Sequence, residues 1–428
     1  MNRVELTAPC GLDCFKKLLG IVGIAWLLTT VVASANPIRK TIWVDGIERE
    51  YLVYAPVQSL TKKADGIIVC LHGFGRSMYD FFDVYNITSV PESLNMLIVA
   101  PQALGEQNKD VIEDANFINS ITNNQLSLHS VWGCGLRVRV TLQLLGTTLL
   151  NDELNKDVDD VKFIDQMIDA TLSDYSLPDE NIFVLGTSMG GFMTYQYALK
   201  KGKRLSGVIS IAGSMGLNIE GMDYGVQIPV CDFHSVTDEV VPYTGSYSQS
   251  LSVFFTANIT LAKPKAEVID YWTKTNATGF PVTVPIQYYP STKGISVEKI
   301  TYPHPVNEVI HYKINGASHS YFFKKEAGDC MDHVEEITRF IQPHLTGTTH
   351  NEQFDTGQKP FFYPNPVENL INFAMQSGVI TIYDMTGSVV FAQSFSDGQA
   401  DISSLKSGVY VIRVQAGNVV YTSKMVKK

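Results

Sequence analysis

The chain has 428 residues, 45% of them hydrophobic and 18% charged, with a formal net charge of −10. That composition describes a folded chain with a sizeable core and excludes a disordered one, and the length accommodates one large domain plus a smaller one. The acidic balance repels phosphate backbones and sets nucleic acid aside as a partner.

At the N-terminus, Lys16 and Lys17 precede an apolar run, Leu18–Val32, closed by Ala33-Ser34-Ala35. A positive flank, a short apolar core and small residues form a secretory signal peptide cleaved near Ala35. The run is shorter than the ~20 residues that span a bilayer. Export leaves Cys70, Cys134, Cys231 and Cys330 in a disulfide-permissive compartment. Cys70 and Cys231 sit in apolar, strand-like runs and read as small buried hydrophobes. Cys134 and Cys330 sit in loop-like sequence and are the candidates for a bridge.

From position 36 to 345, short apolar runs alternate with helical stretches. Ile42–Val44 and Tyr51–Tyr54 read as opening antiparallel strands. Gly66–Leu71 and Met96–Ala100 are continuous apolar runs. Val158–Tyr175 carries Val161, Ile164, Met167, Ile168 and Leu172 at helical spacing. Asn181–Leu185 is a strand ending at a Gly-rich turn, and Phe192–Leu199 a helix. Leu205–Ala212, Val230–His234 and Val309–Ile314 are further strands. Runs apolar on both faces predict a mostly parallel sheet covered by helices, an α/β class domain. Residues 346–360 lose apolar periodicity and read as a linker. Residues 361–428 hold short β-patterned runs punctuated by glycines, a small β-sandwich.

Gly186-Thr187-Ser188-Met189-Gly190 fits G-x-S-x-G, with an apolar strand before it and an amphipathic helix after. Strand, tight turn and helix together form the nucleophile elbow. It lifts the serine hydroxyl to a helix N-terminus, where the helix dipole favours a developing negative charge. A serine needs a base, and the chain order in this fold is Ser, acid, His. His319, in the loop after Val309–Ile314, is the predicted base; His311 and His333 read as structural. Asp238, just past Val230–His234, is the predicted acid, with Asp232 the runner-up and adjacent Glu239 pointing elsewhere. The oxyanion hole falls to the backbone N–H of Met189 and to the loop Leu71-His72-Gly73-Phe74-Gly75-Arg76-Ser77, where Phe74 is preferred and Gly75 is the alternative. His72 reads as structural.

These residues in this order resemble the secreted polyhydroxybutyrate-depolymerase-like and feruloyl/acetylxylan esterases of carbohydrate esterase family one. The resemblance runs from Ile47 to about Phe340. It is carried by Gly46-Ile47-Glu48-Arg49-Glu50-Tyr51, LHGFGRS, Ala100-Pro101-Gln102, Trp132, Asp159-Asp160-Val161-Lys162-Phe163, GTSMGG, HSVTDEVVPY and NGASHSYF. It implies an α/β-hydrolase fold and an acyl-enzyme mechanism that needs no metal or organic cofactor. Tyr321 stands where the family usually has tryptophan, and the segments 133–156 and 246–309 depart from its pattern. Of the aromatic residues near the expected site (Phe81, Phe82, Trp132, Tyr243, Tyr321 and Phe322), Trp132, Tyr243 and Tyr321 are the candidate substrate contacts. They suit a feruloyl ring or a polyester chain. The competing readings are a serine peptidase of the same fold and a silent surface binding protein.

The C-terminal stretch resembles the type IX secretion (Por) sorting domain through FYPNPVENLINF, Ile382-Tyr383-Asp384, Ile402-Ser403-Ser404-Leu405 and Ser407-Gly408-Val409-Tyr410-Val411. The resemblance implies the secretion machinery as a partner and an extracellular or cell-surface destination. A carbohydrate-binding module is the competitor, disfavoured because all four tryptophans lie upstream.

Overall fold

The computed structural model describes residues 36–346 and 362–428, apart from 61, 123–127, 143–144, 218–224, 246, 251–254, 261, 320, 374, 385–387 and 417–418. The expected signal peptide and nearly all of the expected linker lie outside the described residues. Among the described residues, no helix is long and apolar enough to cross a membrane.

The chain opens with an antiparallel pair, β1 (Ile38–Val44) and β2 (Ile47–Tyr54), followed by β3 (Gly66–Leu71) and β4 (Met96–Pro101). Next come β5 (Arg137–Leu142), β6 (Thr147–Glu153), β7 (Ile182–Thr187), β8 (Gly207–Ile211) and β9 (Val230–Ser235). After β10 (Tyr247–Ser250) and β11 (Phe255–Thr260), the domain closes with β12 (Val282–Ile286), β13 (Ser296–Tyr302) and β14 (Val309–Asn315). Ten of these strands form one sheet in the order β1-β2-β4-β3-β7-β8-β9-β14-β13-β12. From β4 to β14 the neighbours run parallel, and antiparallel pairs flank them on both sides.

The central strands β3, β4, β7, β8 and β9 are buried along their whole length. Helices cover both faces, so both faces of each strand must be apolar. Ile67, Val69 and Leu71 face one core and Ile68 and Cys70 the other. The helix Asp160–Asp174 turns Phe163, Ile164, Met167 and Ile168 onto the first core. Its N-terminus is capped by the Asp159 carboxylate, which accepts the Lys162 amide at 2.9 Å. Cys134 belongs to the first core and Cys330 to the second. The sheet separates them and all four thiols are buried and free, so the expected candidate bridge does not form.

The two atypical segments share a destination. β5 and β6 come from one and β10 and β11 from the other, and they join in a separate antiparallel sheet ordered β10-β11-β5-β6. The seam is the β5–β11 ladder, with Ala257 opposite Val140. The C-terminal stretch forms two small sheets, one of three strands and one of four. Phe362, Ile371, Phe373, Ile380, Ile412 and Met425 fill a core of their own there.

Candidate active site

The site is assembled at the carboxyl ends of β3, β7, β9 and β14, where loops leave a parallel sheet. Ser188 follows β7 and begins the helix Met189–Lys201. Its backbone sits at φ 54° and ψ −121°, a strained conformation for a residue with a side chain. The turn closes because a Cβ at Gly190 would run into the Leu71 carbonyl, and one at Gly186 into the Gly190 carbonyl. Only glycine lets strand and helix approach this closely.

The Ser188 hydroxyl lies 2.8 Å from His319 Nε2. His319 Nδ1 lies 2.8 Å from Asp238 Oδ2. The other Asp238 oxygen accepts the amides of Val240 at 2.9 Å and Val241 at 2.7 Å. Burial alone would raise the Asp238 carboxyl; the hydrogen bond and charge of His319 hold it below its ordinary value instead. Glu239 accepts the His319 backbone amide at 3.1 Å, so it fixes the backbone of His319. Ser235 Oγ and Thr237 Oγ1 both donate to the Ala317 carbonyl, at 2.7 and 2.9 Å, and staple the loop that carries Asp238 to the loop that carries His319.

The loop after β3 is held from below. The Gly75 amide donates to the Ser130 carbonyl at 2.8 Å, which commits it and removes it as an oxyanion donor. Among the described residues no carbonyl accepts from the Phe74 amide. Met189, as the first helical residue, has no carbonyl one turn earlier to bond. His72 is fully buried, and burial pushes it down to about 4. Its Nδ1–H donates to the Gly73 carbonyl at 2.8 Å, and its Nε2 accepts the Ala103 amide at 3.0 Å. Gln102 accepts the Met78 amide and donates to Ser130 Oγ, at 3.0 and 2.8 Å, bracing the same loop.

Two of the three predicted substrate contacts are placed elsewhere. Trp132 is fully buried, and its indole N–H donates to the His72 carbonyl at 2.8 Å. It supports the loop from beneath and presents no surface to a substrate. Tyr243 donates to His311 Nε2 at 2.8 Å and packs edge-on to His234, away from the cavity beside Ser188. Tyr321 does line that cavity, which has a volume of about 290 Å³. Its hydroxyl is held by Asp329 at 2.5 Å and Lys293 at 3.0 Å, so the ring is what the cavity meets. Phe74, Tyr85 and Phe322 add further aromatic surface there, and Arg76 adds a cation. Tyr85 escaped the sequence reading because the helix before it, Asp80–Asp83, is a single turn with no period to detect. Neighbouring Phe81 is buried in the core, and Phe82 packs on Tyr54. Asp232 is engaged by Lys265, Tyr195 and His311, not by His319. His333 is buried, its Nδ1 accepting the Phe323 amide at 2.7 Å.

Residues 150–263 match the family model described as Phospholipase/Carboxylesterase, and residues 361–428 the one described as Secretion system C-terminal sorting domain. The chain is 32% identical over 92 residues to "Probable feruloyl esterase C" of Aspergillus niger, covering 21% of this chain and 33% of that protein. The counterpart from Aspergillus clavatus matches to the same extent, so the chain spans about one third of the length of these curated relatives. Among solved structures it is similar to an acetyl xylan esterase from Aspergillus awamori, with a TM-score of 0.43 and 12% identity over 71% of this chain and 99% of that one. It is also similar to an S-formylglutathione hydrolase from Agrobacterium tumefaciens, with a TM-score of 0.40 and 11% identity over 73% of this chain and 94% of that one.

Proposed function

We propose that this chain, an α/β-hydrolase with a C-terminal secretion-system sorting domain, is a secreted serine carboxylic ester hydrolase that works through an acyl-enzyme. The observation that carries the reading is the pair of 2.8 Å contacts that links Ser188 through His319 to Asp238 at the strained elbow.

Ser188 Oγ attacks the ester carbonyl carbon while His319 Nε2 takes its proton. Asp238 holds the ring by Nδ1–H and stabilises the imidazolium. The tetrahedral oxyanion rests on the Met189 and Phe74 amides, a contribution of about 10²–10³ in rate for one such donor. His319 then protonates the leaving alcohol, the acyl group stays on Ser188, and water repeats the sequence to release the acid.

The aromatic wall of Phe74, Tyr85, Tyr321 and Phe322 supports an acyl group with a flat or extended apolar body. Feruloyl esters of plant polysaccharide, or a polyhydroxyalkanoate-type polyester, fit that description, acetyl esters need only the oxyanion hole and the triad, and the curated relatives carry the name "Probable feruloyl esterase C". The secretion machinery engages residues 361–428 after the signal peptide has taken the chain to the periplasm.

The test is an assay of the mature chain and its Ser188→Ala variant on p-nitrophenyl acetate, methyl ferulate, acetylated xylan, polyhydroxybutyrate and a peptide amide. Ester turnover that falls by about 10⁴–10⁶ in the variant is expected. Turnover untouched by the substitution, or confined to the amide, overturns the reading.

A further inference from the structure

Behind the Ser188–His319–Asp238 line lies a second set of polar groups, all withdrawn from water. Asp232 and His234 lie on β9, Lys265 opens the helix Lys265–Thr275, and His311 lies on β14. Lys265 Nζ donates to Asp232 Oδ1 at 2.7 Å, and Tyr195 donates to the same oxygen at 2.8 Å. His311 Nδ1 lies 2.8 Å from the other Asp232 oxygen, and the Tyr243 hydroxyl completes that ring at Nε2. Burial would raise the Asp232 carboxyl; Lys265 and the hydrogen bond from His311 keep it well below the usual carboxylate range.

This cluster reaches the triad through one imidazole. Lys265 Nζ also donates to the Gly213 carbonyl at 2.6 Å. His234 lies with Nδ1 3.0 Å from that same carbonyl. Its Nε2 lies 2.7 Å from the Val241 carbonyl and 3.4 Å from Asp238 Oδ2, the oxygen that faces His319. Both ring nitrogens therefore face oxygens. A neutral imidazole has one N–H to give. The Gly213 carbonyl already accepts a hydrogen bond from the Lys265 ammonium, and the Val241 carbonyl accepts none from the backbone of the described residues. The ring proton therefore belongs on Nε2, where the Val241 carbonyl needs a donor and where it also faces the Asp238 carboxylate. Burial, and next the charge of Lys265, push the ring down to about 4, so it carries that single proton at neutral pH.

We propose that His234 is a positioning residue of this active site: Lys265, through the Gly213 carbonyl, selects its Nε2–H tautomer, and that N–H pins the acid loop at the Val241 carbonyl, beside the Asp238 oxygen that faces His319. The inference rests on the triad reading above. The Asp238 carboxylate is gripped by Val240 and Val241 on one oxygen and lies between His319 and His234 on the other. Without the His234 N–H, the Val241 carbonyl is left unpaired and the acid loop can rotate, which misaligns His319 without touching the substrate cavity.

The test compares wild type, His234→Phe and His234→Gln, each titrated with a fluorophosphonate so that rates are expressed per live serine. His234→Phe is expected to lose about 10- to 100-fold in kcat on p-nitrophenyl acetate with KM unchanged, the scale of a small misalignment at a reacting centre. The acid limb of its kcat/KM profile moves to lower pH, because a loosened Asp238 stabilises the His319 imidazolium less. His234→Gln returns an N–H donor and recovers most of kcat. A His234→Phe enzyme with wild-type kcat per live serine and an unmoved limb overturns the proposal, whatever its melting temperature. Nitrogen NMR of the wild type needs no variant: a His234 ring protonated at Nε2, responding when Ser188 is phosphonylated, is expected. A ring protonated at Nδ1 overturns it. A wild type that takes no fluorophosphonate sinks the triad reading, and this inference falls with it.

Discussion

Arg49 and Asp160, 111 residues apart in the chain, meet at 2.6 Å with both side chains almost wholly out of water. Asp160 spends its second oxygen on the Gly133 amide at 2.7 Å, and the Arg49 guanidinium carbon lies over the Phe163 ring, 3.9 Å from its centroid. One ion pair thus ties β2, the helix after Asp159 and the segment that carries Trp132. Removing one partner strands a buried charge, which typically costs about 3–5 kcal/mol. Arg49→Met is expected to lose at least about 3 kcal/mol in urea unfolding. A loss below about 1 kcal/mol would mean that water reaches Asp160 and relieves it.

Trp132 offers a sharper test of where function ends and scaffolding begins. Its N–H supports the His72 carbonyl, one residue before Gly73 and two before the Phe74 amide. Trp132→Phe keeps an aromatic ring at the position and deletes that bond. Steady-state kinetics on acetate and ferulate esters should show kcat falling about tenfold on both, with KM within twofold, as for a displaced oxyanion donor. A KM effect confined to ferulate would return Trp132 to the substrate.

Phe322 makes the opposite prediction. It lines the cavity, stacks on buried His333 at 4.5 Å and packs on Tyr85 at 5.0 Å. Phe322→Leu conserves apolar bulk and loses the flat face. Ring–ring contacts contribute about 0.5–1.5 kcal/mol beyond burial, so KM for methyl ferulate should rise roughly 2- to 12-fold while p-nitrophenyl acetate is hydrolysed as before. Equal effects on both esters would place the acyl group elsewhere.

Acid should unfold this protein through its buried histidines. Burial pushes His72 and His234 down to about 4 and His333 to about 3. An unfolded histidine titrates near ~6.5. Below that pH the unfolded chain binds protons that the folded chain refuses, so stability falls as pH drops from about 6.5 to about 4, and for His333 to about 3. Above about 6.5 these groups contribute no slope. Near pH 5 roughly three protons should be taken up on unfolding, readable from urea midpoints at a series of pH values or from calorimetry in two buffers. A flat profile from pH 7 to 5 would mean that these rings are already charged in the fold.

What the sequence by itself determined is local. Gly66–Leu71 is apolar without alternation because both faces of a central parallel strand are covered, and the structure assigns that strand the same bounds. Gly186 to Gly190 specify a tight turn within a few residues, and the apolar strand before it and amphipathic helix after it are equally local, so Ser188 could be named from spacing and context along the chain. Asp238 and His319 followed from chain order and loop position, and the folded chain brings both within hydrogen-bond reach. Tertiary structure decided the rest. Nothing near Lys265 in sequence announces that it will be buried against Asp232, 33 positions away. Nothing near Val140 announces that it will pair with Ala257 to join two insertions in one sheet. Trp132 and Tyr243 have the chemistry of substrate contacts, yet packing turned one under a loop and the other onto His311. Periodicity and turn chemistry act over a few residues and can be read along the chain. Burial, and the choice of hydrogen-bond partner that burial forces, depend on what the rest of the chain places alongside.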